Sequence, residues 1–164
     1  MYARILLAYD GTTEGRAALR EGALLARRCG AKVFLLSVIA ETAGGRVAEG
    51  VQAGALAKQY ETYQAILAEG VARLVALGLD PVAELVAGEP AQAIGAFARR
   101  VGADLVVVAH RKQSLFERWW SGSAGAYLID HVACTLLIAR NTVSDEMLVE
   151  EMRRNPSPVA PPPV

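Results

Sequence analysis

The sequence predicts an α/β protein whose parallel sheet is covered by helices on both faces. Short apolar runs alternate along the chain with stretches of helical periodicity, which is typical of stacked βαβ units. The run Leu105 to Val108 is apolar at every position, as is expected of a strand buried on both faces of a parallel sheet. With 53% hydrophobic residues in a chain of 164, a sizeable core can form. We therefore expect one α/β domain with five strands.

The first strand is predicted at Ala3 to Tyr9, and the polar turn after it leads into a helix. Thr12 is a suitable N-cap because its hydroxyl can accept a hydrogen bond from the first helical turn, and Gly30 ends the helix after Cys29. One face of this helix carries mostly small residues that allow it to lie close to the sheet: Ala18, Gly22, Leu25 and Cys29.

The second strand is predicted at Lys32 to Val38. The Gly-rich segment Ala43 to Gly54 has weak patterning and is interpreted as a surface loop. A long helix follows from about Ala55 to Leu77, and Gly78 ends it. Its apolar residues recur at three- and four-residue spacing: Leu56, Tyr60, Tyr63, Leu67, Val71 and Leu74.

The rest of the domain contains three strands and two helices. The strands are predicted at Val82 to Val86, Leu105 to Val108 and Thr135 to Ala139. Pro90 suits the first turn of the helix between the first two of them. The face of that helix expected to point inward carries Ile94, Phe97, Ala98 and Val101. The second helix, from about Ser123 to His131, precedes the last strand.

The sequence changes character after Arg140, so residues 1–140 are interpreted as the folded domain and residues 141–164 as an extension. Ser144 can cap a short charged helix that reaches about Arg154. The Pro-rich end, Asn155 to Val164, is expected to be extended or disordered. This tail could be a ligand for a protein partner, although a solvated tail is the simpler interpretation.

The balance of charge argues against nucleic acid and membrane partners, because 17 Lys and Arg residues cancel 17 Asp and Glu residues. No apolar run reaches the roughly 20 residues that a membrane span needs, and no secretion signal is recognisable. We therefore expect a cytoplasmic protein. Cys29 and Cys134 lie far apart in apolar surroundings and are expected to be buried thiols rather than disulfide partners or metal ligands.

Residues 105–123 carry the most informative pattern, a buried-type strand, a polar turn and a Gly-Ser pair. Main-chain N–H groups at a glycine turn before a helix can hold phosphate. The segment resembles the signature of the universal stress protein family, which is Gly-x-x-Gly, nine residues, and Gly-Ser or Gly-Thr. Ala109 and Lys112 stand where the first two glycines would be, whereas Gly122-Ser123 completes the motif after a gap of nine residues.

Other segments of residues 1–140 resemble the same family. They are ILLAYDGT, LLSVI, GEPAQAI, ADLVVVAHR and HVACTLLIAR, in which Thr135 replaces the usual proline. The resemblance implies a Rossmann-like sheet of the adenine nucleotide alpha hydrolase type, in order 3-2-1-4-5, with the ligand near the switch between strands one and four. It also implies a homodimer through the last strand, whose open edge favours pairing with a second copy.

The resemblance further implies where an adenine nucleotide such as ATP or AMP would bind, with no metal other than Mg²⁺ accompanying that nucleotide. The positions expected near the base and sugar are Tyr9, Asp10, Gly11 and Val38. The positions expected near the phosphates are Ala109, His110, Arg111, Lys112, Gly122, Ser123 and Ala124.

Each of these residues also has a simpler interpretation. Asp10 could satisfy loop N–H groups instead of contacting a ligand, and Gly122-Ser123 could only make a turn into the next helix. Arg111 and Lys112 could neutralise phosphates or form an exposed basic turn. Lys112 could clasp ATP or obstruct the phosphates, and we favour obstruction because a long side chain replaces a glycine at the approach point. Weak or absent ATP binding is therefore expected.

Competing functions lack their signatures. The sequence has no G-x-G-x-x-G run, no Walker A loop and no acidic cluster of a receiver domain. His110 has no visible partner for catalysis, and no general base or metal pair is recognisable. We therefore expect a non-enzymatic regulatory protein with a degenerate nucleotide site, and leave slow ATP hydrolysis open. The alternatives are a functional ATP- or AMP-binding protein, in which Lys112 and Gly122-Ser123 hold phosphate, and a nucleotide-free interaction module.

Overall fold

The chain folds around one parallel β-sheet with helices on both faces, in a computed structural model that describes residues 1–40, 52–110, 128–140 and 143–154. The strands are β1 (Arg4–Ala8), β2 (Lys32–Ala40), β3 (Val82–Gly88), β4 (Leu105–Ala109) and β5 (Thr135–Ala139). The helices are α1 (Thr13–Cys29), α2 (Gln52–Ala76), α3 (Pro90–Val101), α4 (Leu128–His131) and α5 (Asp145–Arg154).

The five strands lie in the order β3-β2-β1-β4-β5 and every neighbouring pair is parallel, which confirms the predicted fold class. The chain moves outward from β1 through β2 to β3, then returns to the other side of β1 for β4 and β5. This reversal separates β1 from β4 at the carboxyl edge of the sheet, where open α/β sheets bind ligands. The observed β2 and β3 each extend two residues beyond the predicted ends.

One face of the sheet is covered by α1 and α2, which pack on Ile5, Leu7 and Leu35. Thr12 caps α1 through a hydrogen bond from the Gly15 amide, and Gly30 ends the helix in the left-handed region, as predicted. A side chain at Gly22 would collide with Leu7, so the small residue at this position allows the close packing of α1 on the sheet.

Two predictions about α2 are wrong. The helix begins at Gln52, so the last residues of the predicted loop belong to it, whereas residues 41–51 lie outside the described part. Tyr60 was expected on the apolar face but is 49% exposed. The predicted Leu67, Val71 and Leu74 do pack on the core. Gly70 lies on the same face, and its missing side chain allows Tyr9 and Leu35 to approach. A period of three to four residues does not distinguish the centre of a helix face from its margin.

The other face of the sheet is covered by α3 and α4. Pro90 is the first residue of α3, and Glu89 caps the helix by accepting hydrogen bonds from two amides of its first turn. Ile94, Phe97 and Ala98 are buried as predicted, while Val101 is partly buried. The predicted start of the next helix at Ser123 lies outside the described residues, but its end at His131 is confirmed.

The extension after residue 140 contributes α5, which packs on the α1 side of the sheet. Ser144 accepts a hydrogen bond from the Met147 amide and so acts as the predicted cap. The Arg28 guanidinium donates two hydrogen bonds to the Glu151 carboxylate, at 2.8 and 2.6 Å. Leu148 and Met152 pack against the core beneath α1. The predicted tail, Asn155 to Val164, lies outside the described residues.

Cys29 and Cys134 are free thiols that pack against the core, but both are only partly buried, less than expected. Burial and the nearby Asp104 carboxylate raise the pKa of the Cys134 thiol, which disfavours the reactive thiolate. Within the described ranges, no helix is long and apolar enough to cross a membrane.

Candidate functional site

The structure places the described part of the predicted site at the carboxyl edge of the sheet, around the end of β1. Tyr9, Asp10 and Gly11 follow β1 directly, Val38 lies near the end of β2, and Ala109 and His110 lie at the end of β4. Because β2 and β4 are the two neighbours of β1, the topology brings these three chain ends to one edge. The other predicted positions lie outside the described residues: Arg111, Lys112, Gly122, Ser123 and Ala124.

The Asp10 carboxylate organises the turn between β1 and α1. Its Oδ1 atom accepts hydrogen bonds from the Thr12 amide at 3.0 Å and from the Thr12 hydroxyl at 2.6 Å. The Thr12 oxygen in turn accepts the Gly15 amide at 3.0 Å. A side chain at Gly15 would collide with Asp10 Oδ1. One oxygen of Asp10 therefore accepts hydrogen bonds from the loop, as the simpler interpretation of this residue predicts.

Helix α2 holds the same turn from the outer side. Gly11 has a φ of +73°, and a Cβ atom built on it would lie 3.0 Å from Cγ1 of Ile66. One turn further along α2, a Cβ atom on Gly70 would lie 2.8 Å from the Tyr9 ring. At both positions glycine leaves room for a neighbouring side chain. Gly11 also adopts a left-handed backbone conformation that other residues rarely adopt. The turn after β1 is fixed by contacts with α2 as well as by its own hydrogen bonds.

A charged cluster joins α1 to α2 beside Tyr9. The Arg16 guanidinium donates two hydrogen bonds to the Glu69 carboxylate, at 2.8 and 3.1 Å, and Arg73 donates a third at 2.8 Å. The hydrogen bonds from Arg16 are the main reason why the pKa of Glu69 falls to about 2. Glu69 is therefore ionised at any physiological pH.

The Tyr9 side chain is buried, and its hydroxyl lies beside this cluster without a hydrogen bond of normal geometry among the described residues. Burial, and then the Glu69 carboxylate, raise the pKa of Tyr9 above its ordinary value. The phenol remains neutral, so this group is unsuited to serve as a general base.

The main chain at the end of β1 is held by β2. The Tyr9 amide donates to the Leu36 carbonyl at 2.9 Å, and the Tyr9 carbonyl accepts from the Ser37 hydroxyl at 2.8 Å. Sequence reasoning missed Ser37. The available signal was a single polar residue in an otherwise apolar strand, because a polar group buried there must find a hydrogen-bond partner.

On the other side of β1, Ala109 is the last residue of β4 and pairs with Ala139 in the sheet. Its backbone is that of a strand residue, so alanine in place of glycine causes no left-handed strain at this position. The His110 amide donates to the Ala139 carbonyl at 2.9 Å, which extends the main-chain bonding between β4 and β5 by one residue.

The described part of the site offers main-chain hydrogen-bonding groups, the Asp10 carboxylate and the buried phenol of Tyr9. Among the described residues, no three His, Cys, Asp or Glu side chains cluster in a way that could hold a metal ion. Such a surface can bind a polar ligand through main-chain groups and a carboxylate. Sugar hydroxyls and the edge of a heterocyclic base suit these donors and acceptors.

A model of the universal stress protein family matches residues 1–140. The chain belongs to the universal stress protein family. The match covers all five strands and ends before α5, so this universal stress protein carries a further helix after the family domain. No curated protein matches the sequence significantly.

Solved structures show the same fold. A universal stress protein in complex with cAMP is 24% identical, with a TM-score of 0.64, over 86% of this chain and 99% of that chain. The protein UspA from Lactobacillus plantarum is 22% identical, with a TM-score of 0.69, over 85% of this chain and 98% of that one. The universal stress protein from Archaeoglobus fulgidus in complex with dAMP is 21% identical, with a TM-score of 0.61, over 85% and 98%. At these identities the likeness extends to the fold alone.

Proposed function

We propose that this universal stress protein is a non-enzymatic regulatory protein whose adenine-nucleotide site recognises the base and sugar better than the phosphates. It binds nucleoside monophosphates of the AMP type weakly, and ATP no better. The observation that carries the proposal is the ordered turn after β1. Ser37, Thr12 and Ile66 hold it at the edge where β1 separates from β4.

Two further observations support an adenine nucleotide. Structures of the same fold are known in complex with cAMP and with dAMP. In this chain, Val38 is in β2, and the Asp10 turn follows the adjacent strand β1. The two can therefore contact a base and its sugar from one side. The phosphate side differs, because Ala109 and Lys112 replace two glycines of the family signature.

The affinity for the triphosphate follows from that replacement. Glycine-rich loops bind phosphate mainly through main-chain N–H groups, which a side chain at the approach point obstructs. Ala109 is compact and lies in β4, so it changes little. Lys112 introduces a long cationic side chain, which makes it the decisive substitution.

Isothermal titration calorimetry tests the proposal with adenosine, AMP, cAMP and ATP, each with and without Mg²⁺. We expect AMP to bind and ATP to bind no more tightly than AMP. Failure of all four ligands to bind would contradict the proposed function and support a nucleotide-free interaction module. Hydrolysis of ATP to ADP over many turnovers would contradict the proposal that the protein is not an enzyme.

Variants at Lys112 distinguish obstruction from clasping. If the side chain obstructs the phosphates, Lys112→Gly should increase the affinity for ATP by tenfold or more and leave the affinity for adenosine unchanged. If it clasps them, Lys112→Ala should weaken ATP binding, which would support the alternative of a functional ATP site. Lys58→Ala is the control, because Lys58 is exposed on α2 and its removal changes the net charge equally.

A further inference from the structure

Ser37 is a polar residue in the middle of a buried strand. Its side chain is 0% exposed, and its neighbours in β2 are apolar. The hydroxyl is not left without a partner, since it donates to the Tyr9 carbonyl at 2.8 Å. Tyr9 is the first residue after β1 and precedes Asp10. This side chain therefore bonds the main chain where β1 turns toward the proposed site.

The bond lies where the regular hydrogen-bond ladder between β1 and β2 ends. Alternate residues of a parallel strand direct their main-chain groups to the same neighbouring strand. The Lys32 amide donates to the Ala3 carbonyl, and the Leu36 carbonyl accepts from the Tyr9 amide, so the even-numbered residues of β2 face β1. In an uninterrupted ladder the next bond would run from the Val38 amide to the Tyr9 carbonyl. The Tyr9 carbonyl is bonded by Ser37 instead.

We propose that Ser37 is a positioning residue for the nucleotide site. Because strand side chains stand off the face of the sheet, the Ser37 hydroxyl directs the Tyr9 carbonyl out of the plane of the ladder, so that this carbonyl no longer meets the Val38 amide. The Val38 amide then faces the gap beside the end of β1, where it can donate to an acceptor nitrogen of a heterocyclic base. This inference rests on the proposed adenine-nucleotide function, in which Val38 meets the base.

The first test needs no ligand. Amide hydrogen exchange, followed by NMR on the nucleotide-free protein, should show exchange at Val38 at least tenfold faster than at Leu36, which lies within the ladder. In Ser37→Ala no hydroxyl directs the Tyr9 carbonyl out of the ladder, so the Val38 amide should bond to it and exchange at least tenfold more slowly than in the wild type. Equal protection of Val38 and Leu36 in the wild type would overturn the proposal.

The second test is the affinity for AMP by calorimetry, at a temperature where the variants are folded. We expect Ser37→Ala to weaken AMP binding about tenfold. Ser144→Ala is the matched control, because it removes a hydroxyl that caps α5 and should change stability without changing affinity. Ser37→Ala with wild-type affinity would overturn the positioning role. If the wild type binds no nucleotide, the proposed function fails, and the exchange rates still decide whether Ser37 releases Val38.

Discussion

Gly70 tests how tightly α2 is packed on the strand ends that form the site. A Cβ atom at this position would lie 2.8 Å from Cδ1 of Tyr9 and 2.9 Å from Cδ2 of Leu35. Both neighbours are buried, at 3% and 0% exposure, so neither can move into solvent. Inserting a methyl group into such a packed region costs about 1–3 kcal/mol. The higher helix propensity of alanine returns up to about 1 kcal/mol.

We therefore expect Gly70→Ala to lower the free energy of unfolding by about 1 kcal/mol, which corresponds to a Tm lower by about 2–4 °C in a domain of this size. Urea denaturation measures the change, with an unchanged m-value as the sign that the unfolding transition itself is the same. AMP binding should weaken as well, since Tyr9 adjoins Asp10 in the turn.

Gly54→Ala is the matched control in the same helix. A Cβ atom at Gly54 would have nothing within 4 Å, so only the gain in helix propensity remains. This variant should be as stable as the wild type or more stable by up to about 1 kcal/mol. The reasoning would be refuted if Gly70→Ala were stabilised to the same extent as Gly54→Ala.

Three further predictions concern charge, the extension and assembly. Because the folded-state pKa of Glu69 is about 2 against an ordinary 4.5, its stabilising contribution is complete above pH 4.5 and is lost as pH falls through 2. Glu69→Gln should thus lower the free energy of unfolding by at most about 1 kcal/mol at pH 7. Urea titrations should show that the difference from the wild type shrinks at acidic pH. A constant difference down to pH 2 would contradict this. Truncation after Asn141 removes the apolar contacts of Val143, Leu148 and Met152 and should lower the free energy of unfolding by about 2 kcal/mol. If the urea midpoint and the association of the protein are both unchanged, α5 has no structural role. Sedimentation velocity should show a homodimer, because β5 is the last strand at one edge of the sheet and, among the described residues, pairs with β4 alone. A monomer at micromolar concentration would argue against pairing through β5.

Much of the local structure could be predicted because its signals lie within a few residues of each other. Thr12 and Ser144 cap helices through neighbouring amides, and Pro90 starts α3. Helix boundaries were predicted less accurately. Helix α2 begins inside the predicted loop, because a Gly-rich sequence weakens a helix without preventing it. The order of the sheet came from the family resemblance, and the structure confirms it.

The sequence by itself determined the class of fold, the sites of most turns and the family motif in residues 105–123. Only the tertiary structure decided which distant residues meet. Arg16 and Glu69 are separated by 53 positions and Ser37 and Tyr9 by 28, yet each pair forms a hydrogen bond. The physical reason is that periodicity and capping depend on a residue's immediate neighbours, whereas such contacts depend on sheet order, register and helix placement together. The Ser37 hydroxyl became a candidate for shaping the site only when β2 was placed beside the end of β1.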